Sequence, residues 1–356
     1  MTVATYRLRL RDTDHSLIDE VIRYRSLEYA RLLNGVGVFT LTVGWQAPEV
    51  ARLLDNRFLQ ITRDGRDEFY GLILGRRYRF GENAPSDEVL VVQGLHVNAF
   101  LAWREIVPPA GQSHDSRSGP ADSLMKGYVD DHLGPAAAVA RQYAYLSIAA
   151  DVAAAPSRSY NGRYPLSLLS AVQDLGRSAD VDFEMVHVAG GMEFRTYYPR
   201  RGLDRTRGNG VNPPVIFSQA QGNVRSGEYA ASGANVVNYV YAMGQGEGAL
   251  REVVEREDVA SISAWGRREL AVDARHLEAT AKLEQRGDEE LARRTVDKVL
   301  TLEAMSVPGC RYGVDWDLGD LVTGEIAGQS LDAKIAAVTV KVESGGPEEI
   351  RAVIES

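Results

Sequence analysis

Along the first hundred residues, apolar and polar positions alternate in short runs, the period of a half-buried β-strand. Residues 5–10 alternate, and 36–43 (VGVFTLTV) form a β-branched run. Residues 58–63 and 68–80 flank Asp64-Gly65, a two-residue hairpin signal. Residues 88–93 (EVLVVQ) predict a further strand. One short helix interrupts the pattern. Pro48 suits a first helical position, and Glu49, Val50, Leu53 and Leu54 follow it with helical spacing.

The period changes near residue 105. Pro108-Pro109 and the polar stretch 111–120 predict a loop. Leu124, Met125, Tyr128, Val129 and Leu133 then recur at helical spacing until Gly134-Pro135. A second helix is predicted over 165–179, with Leu166, Leu169, Val172, Gln173 and Leu175 on one face. Strands over 182–188 and 192–198 flank Gly190-Gly191, completing a small α/β middle domain. Past the turn-rich 200–214, strands return at 235–243 and 250–255, joined by the glycines of 244–248. Residues 288–300 predict a helix, with acids at its start and bases further in, as the helix dipole favours. Strands at 300–303, 321–326, 333–342 and 350–354 close the chain. No repeat of fixed period occurs. The predicted fold class is α+β and β-rich.

Length and charge narrow the picture. At 356 residues the chain exceeds the roughly 250–300 that one core supports, so several domains are expected. A net charge of −9 argues against a basic face for a phosphate backbone, so no specific nucleic-acid binding is expected. The single cysteine, Cys310, rules out an intrachain disulfide and reads as a small buried hydrophobe. Residues 1–10 lack the apolar core of a secretory signal, so synthesis in the cytosol without an export address is expected. The most apolar region, 135–156, is interrupted by Arg141, Gln142 and Asp151, so no membrane segment of about 20 residues is expected.

Candidate chemistry is sparse. The histidines are His15, His96, His114, His132, His187 and His276, and no two stand at zinc-helix spacing. Asp130-Asp131-His132 could hold a metal or a proton, but reads better as a solvated helix end. Asp180, Asp182 and Glu184 alternate, so a strand would place them on one face. Paired carboxylates of that kind serve glycoside hydrolysis, but the wet side of an amphipathic strand is the stronger reading. Asp315, Asp317 and Asp320 miss the spacing of a calcium loop and read as a turn entering a strand. Gly244, Gly246 and Gly248 lack the helix that a dinucleotide site needs, and predict a hairpin tip. Arg200-Arg201, Arg205, Arg207 and Arg267-Arg268 are interleaved with acids and read as surface or as inter-subunit ion-pair partners. No catalytic, cofactor-binding or metal residue is assigned.

Three stretches together carry a resemblance. They are 36–43 with the hairpin 58–74, then 235–251 ending in GQGEGALR, then 316–325 (WDLGDLVTGE) with the strand 333–342. In order and spacing the chain resembles the tail-hub family of long-tailed siphophages, also called baseplate-hub or tail-associated proteins. That family shares its fold with contractile-tail hubs and type VI secretion spike hubs. The resemblance implies two tube-protein-like β-barrels, at 1–103 and 215–356, with an α/β domain at 104–214 between them. A small addition to the second barrel would hold the helix 288–300. It further implies a homotrimer whose six barrels join a sixfold tail tube to a threefold spike or fibre and let DNA pass. The implied partners are a distal tail or tail tube protein, a spike, fibre or receptor-binding protein, and a tape measure protein. The implied location is the virion tail tip, and the role is not enzymatic. Two alternatives stand beside it: the hub of a gene-transfer agent, tail-like bacteriocin or contractile injection system, and a cell-wall carbohydrate hydrolase using Asp180, Asp182 or Glu184.

Overall fold

The computed structural model describes residues 4–80, 88–275, 277 and 279–355; His276 lies outside them. Strands predominate and helices are few, as the α+β reading expects. The chain divides into two compact units, one built from residues up to 227 with 301–354, the other from 228–300.

In the first unit the opening strands are β1 (Tyr6–Arg11), β2 (Leu17–Glu20), β3 (Tyr24–Leu32), β4 (Val38–Gly44), β5 (Phe58–Arg63), β6 (Arg66–Arg79) and β7 (Val89–His96). Asp64 and Gly65 both take positive φ at the β5–β6 turn, as an Asp-Gly hairpin requires. The expected helix at Pro48 is a short 3-10 turn, Pro48–Arg52. Strand β3 escapes the alternation rule because Arg31 stands at an inward position, in register with the buried Leu27 and Tyr29.

The middle of this unit holds α1 (Ala99–Ala102), β8 (Asp115–Pro120), α2 (Ala121–His132), β9 (Leu146–Ile148), β10 (Ser157–Gly162), α3 (Leu168–Ala179), β11 (Asp182–Val188) and β12 (Gly191–Tyr197). Helix α3 starts later than its spacing predicts, because the Ser167 hydroxyl caps it by accepting from Ser170 N–H at 3.1 Å. Its buried face is Leu168, Ala171, Val172, Leu175 and Ala179, so Leu169 and Gln173 lie off the predicted stripe. Gln173 instead donates to the Asn34 carbonyl. The buried faces of α2 and α3 form one core with Phe183 and Met185 of β11 and Met192 and Phe194 of β12.

The chain then runs through β13 (Asp204–Arg205), β14 (Ile216–Ser218) and β15 (Val224–Ser232), which leads into the second unit. That unit contains β16 (Tyr239–Met243), β17 (Val253–Glu257), α4 (Val259–Trp265), β18 (Glu269–Asp273) and α5 (Thr280–Arg293). Its three strands form one sheet in the order β17-β16-β18. The expected strand 235–243 is shorter here, because buried Asn238 brackets the chain, bonding Arg268 N–H and the Gly266 carbonyl. The strand expected from 250 begins only at Val253, after a 3-10 turn.

The predicted helix 288–300 is corrected. The helix lies earlier, at α5, and residues 297–304 form β19 (Asp297–Ala304). Leu300 and Leu302 are buried two apart, a strand period, and β-branched Val299 and Thr301 agree with it. Gly287, which looks like a helix breaker, sits on the buried side of α5. A Cβ there would meet Arg256 Cγ at 2.5 Å, so its bareness allows close packing on β17.

The last strands are β20 (Leu321–Ile326), β21 (Gln329–Glu343) and β22 (Glu348–Glu355). They extend the opening sheet rather than forming another. Its order is β15-β19-β22-β21-β3-β4-β7-β6-β5-β1-β2, with β20 on β21 and β13 and β14 beside β20. The joint is β3 against β21, antiparallel from Leu32–Ala337 to Ser26–Glu343. Among the described residues this path is open at both ends.

Close backbone packing inside the sheet yields a stability test. At Gly94 on β7, a Cβ would meet the Leu72 carbonyl oxygen at 2.1 Å and the Phe39 ring at 2.3 Å. Gly94→Ala is therefore expected to cost about 1–3 kcal/mol or more in urea unfolding. Gly75→Ala, where nothing lies within 4 Å, is expected to be neutral or slightly stabilising.

Candidate functional site: a buried arginine–carboxylate junction

Arg31 stands at the centre of a buried charged cluster in the first unit. Its side chain is 5% exposed and that of Glu68 on β6 is fully buried. Arg31 Nη1 lies 3.1 Å from Glu68 Oε2, 2.8 Å from the Tyr312 hydroxyl and 2.9 Å from Asp317 Oδ1. The Tyr312 hydroxyl donates in turn to Glu68. From β6, Arg66 donates twice to the other Glu68 oxygen and stands 3.3 Å from Asp317. From β5, Arg63 forks onto Glu348 of β22, donates to the Tyr312 carbonyl and lies 5.1 Å over the Tyr312 ring.

The loop between β19 and β20 brings Tyr312 and Asp317 into this cluster because apolar groups pin it down. Trp316 is buried, packs edge-on to Phe217 and donates from its indole to the Cys310 carbonyl at 3.2 Å. Cys310 is buried as the sequence predicts, and burial pushes its thiol up to about 12.

Three of the acidic groups singled out in the sequence meet here on Arg201. Arg201 Nε lies 2.8 Å from Glu184, and Nη1 stands 3.5 Å from Asp317 while donating to the Leu318 carbonyl at 2.8 Å. The Arg201 backbone N–H donates to Asp182, which also accepts from Asn34 at 2.9 Å. The reading of Asp182 and Glu184 as a wet strand face is thus corrected: Asp182 is 1% exposed and Glu184 14%. Both can be interior because cationic partners meet them there. Asp180 does not share their strand. It takes a left-handed conformation as the C-cap of α3 and pairs with Lys334 at 2.6 Å. The reading of Arg200-Arg201 as surface is corrected for Arg201.

Asp320 clamps the turn into β20, as expected, accepting from Leu203 N–H, Asp317 N–H and Arg205. Asp315 pairs with Arg311 at the surface. The predicted hairpin tip is present, with Gly246 and Gly248 at positive φ between β16 and β17. The solvated helix end proposed for residues 130–132 holds only in part. Asp131 pairs with Arg117, but His132 is buried, with Nε2 3.3 Å from Asp115 and Nδ1 3.2 Å from Arg141. Among the described residues, no group of three or more His, Cys, Asp or Glu side chains could hold a metal ion. None of the helices described is long and apolar enough to cross a membrane. Arg31, Glu68 and Tyr312 were invisible to sequence reasoning; their one signal is a charged or polar residue at an inward strand position or beside a buried tryptophan.

The electrostatics follow from the pairing. Burial raises the Asp317 carboxyl, but Arg31, Arg201 and Arg66 outweigh it and hold the group down at about 2. Glu184 is lowered in the same way, with Arg201 and Arg31 overcoming burial. Burial lowers His96 to about 4, helped by the charges of Arg31 and Arg201 and opposed by Glu184. Carboxylates held ionised by forked arginines accept hydrogen bonds and resist protonation. Such an array joins elements; it is poorly suited to general acid catalysis.

The arrangement is that of a tail-protein fold. A tail protein from Neisseria meningitidis MC58 matches with a TM-score of 0.62 at 13% identity, covering 99% of this chain and 96% of that chain. The 43 kDa tail protein of prophage MuSo2 from Shewanella oneidensis matches at 0.60 and 13% identity, covering 98% and 97%. A chain of the Francisella PdpA–VgrG complex matches at 0.52 and 10% identity, covering 99% of this chain and 58% of that one. Residues 7–354 match the family described as Siphovirus ReqiPepy6 Gp37-like protein, and the chain belongs to that family. Among curated proteins none matches the chain. The family match bears out the siphophage resemblance read from the sequence, and the solved tail proteins share the fold of this chain.

Two measurements check the junction. Arg31→Met removes one of three partners of buried Glu68 and is expected to cost about 1.5–3 kcal/mol in urea unfolding, with part regained in Arg31→Met/Glu68→Gln. Asp317 has a folded value below the ordinary 3.8, so its contribution is complete above 3.8 and is lost as pH falls towards about 2. The unfolding midpoint should therefore drop across that window, and Asp317→Asn should flatten that part of the slope.

Proposed function

We propose that this protein is the hub subunit of a phage tail tip. The observation that carries the reading is the match over nearly the whole chain, residues 7–354 for the family and 99% of the chain for the Neisseria tail protein. In this reading, residues 1–103 and 215–356 supply two tube-protein-like barrels and residues 104–214 the inserted domain. The small addition contains α5 in place of the helix expected at 288–300. Three copies form a ring with six similar barrels, so one side fits a sixfold tube and the other a threefold spike or fibre. The ring contacts a distal tail or tail tube protein, a spike, fibre or receptor-binding protein, and the tape measure protein. DNA passes through a lumen whose acidic balance, −9 per chain, keeps the phosphate backbone from adhering.

The role is structural. Asp182 and Glu184, the carboxylates a hydrolase would need, are both engaged by Arg201. A second reading draws on the Francisella VgrG-complex match: the same hub geometry in a gene-transfer agent or contractile injection system. Purification of the particle that incorporates the protein separates the two.

The purified protein is expected to give a trimeric, ring-shaped particle in light scattering and negative-stain microscopy, alone or once mixed with its tail partners. A monomer that never joins tails, or a particle with twofold symmetry, overturns the proposal.

A further inference from the structure

One surface of the first unit has the composition of an interface core. Trp45 is fixed by its N–H on the Glu88 carbonyl, and its ring lies 4.5 Å from that of Tyr78 on β6. Tyr78 stacks on Phe80 at 5.8 Å. Trp45, Tyr78 and Phe80 are 39%, 43% and 76% exposed. Beside them Val50, Ala51, Leu54 and Leu90 line a hollow of about 460 Å³, with the Asp55–Arg76 pair completing its wall at 3.0 Å. Single exposed apolar residues are ordinary, but a run of three aromatics joined through Tyr78 beside an apolar hollow is not.

The charges around this hollow choose an occupant. Arg77 and Arg79 stand on β6 beside Arg76, which pairs with Asp55, Arg52 on the adjoining 3-10 turn pairs with Asp19, and that turn and the described end of β6 carry no lysine. Aromatic and arginine side chains are the types enriched where proteins meet, and lysine is depleted there. The chain as a whole is acidic, with 49 carboxylates to 40 lysines and arginines, so an identical copy offers an excess of carboxylates to this arginine-bearing edge. A ring of identical subunits requires such a heterologous contact, in which one patch meets a different patch on the next subunit.

We propose that the Trp45–Tyr78–Leu54 hollow is the docking site for a second copy of this chain, an inference that rests on the ring-hub reading. An apolar side chain of the neighbouring copy fills the hollow. Its flanking carboxylates face the β6 arginines.

The test compares self-association of the full chain and its variants by light scattering over a range of concentrations. Trp45→Ala is expected to weaken trimer formation at least roughly thirty-fold. Leu54→Arg should leave monomer, with circular dichroism and unfolding midpoint unchanged. Val211→Arg, at a site 86% exposed and apart from the hollow, should associate like the wild type. If Leu54→Arg fails to fold, Trp45→Ala alone decides. Trimers unaffected by Trp45→Ala overturn this inference and leave the hub reading standing. So do intact variant trimers that fail only to join tails, since another tail protein then occupies the hollow. A wild-type protein that never associates, with itself or with tails, removes both.

Discussion

Burying a guanidinium is costly unless opposite charge meets it, and Arg31, whose Nη1 gathers three partners while its buried Nε has none, makes that cost the organising constraint of the first unit. Its partners lie 37, 281 and 286 residues away, at Glu68, Tyr312 and Asp317. No local structure can satisfy it. Strand β3 can hold an inward arginine only once the β19–β20 loop has returned beside the opening sheet. The hydrogen-bonded joint of β3 with β21 lies in the same unit and has the same consequence. A slip of one residue in that register would turn Leu27, Tyr29 and Arg31 outward together, so apolar and ionic demands select one alignment.

A buried ion pair seldom outcompetes a well-packed apolar pair in net stability. What the junction supplies is specificity. Glu68 takes Arg31, Arg66 and Tyr312; Asp317 takes Arg31, Arg66 and Arg201; Arg201 reaches on to Glu184. Glu68 and Asp317 are each held by more than one donor, and the cluster extends through Arg63 and Glu348 to Tyr6. This is the chemistry of a joint that fixes the relative placement of strands.

The second unit is held differently. Its apolar core is small, centred on Ala242, Ala274 and Leu283, with Val254 and Leu277 against it. Polar brackets supplement it. Asn238 ties the strands to the α4–β18 turn, and the Arg267 guanidinium lies 3.6 Å over the Tyr239 ring while donating to Tyr241. Glycine at 287 lets the helix approach β17 closely. Small units with little apolar surface rely on such contacts more than large ones do.

The sequence by itself determined the local elements wherever one face is apolar. The hairpin of β5 and β6 was legible from Asp64-Gly65, the pair β11 and β12 from alternation around Gly190-Gly191, and β20 to its ends. The order of its motifs also carried the family. Where a charged residue points inward, the same reasoning failed: Arg31 hid β3, and Asp182 and Glu184 looked like a wet face. The helix near 290 lies earlier than expected, with Gly287 inside it where a bare backbone packs closely on β17. Tertiary structure alone decided that the first and last strands share a sheet and that Arg31, Arg201 and the scattered acids converge. The physical reason is that alternation reports which side of a strand is dry only when dry means apolar. A charge becomes an interior residue only through partners that the fold brings from far along the chain.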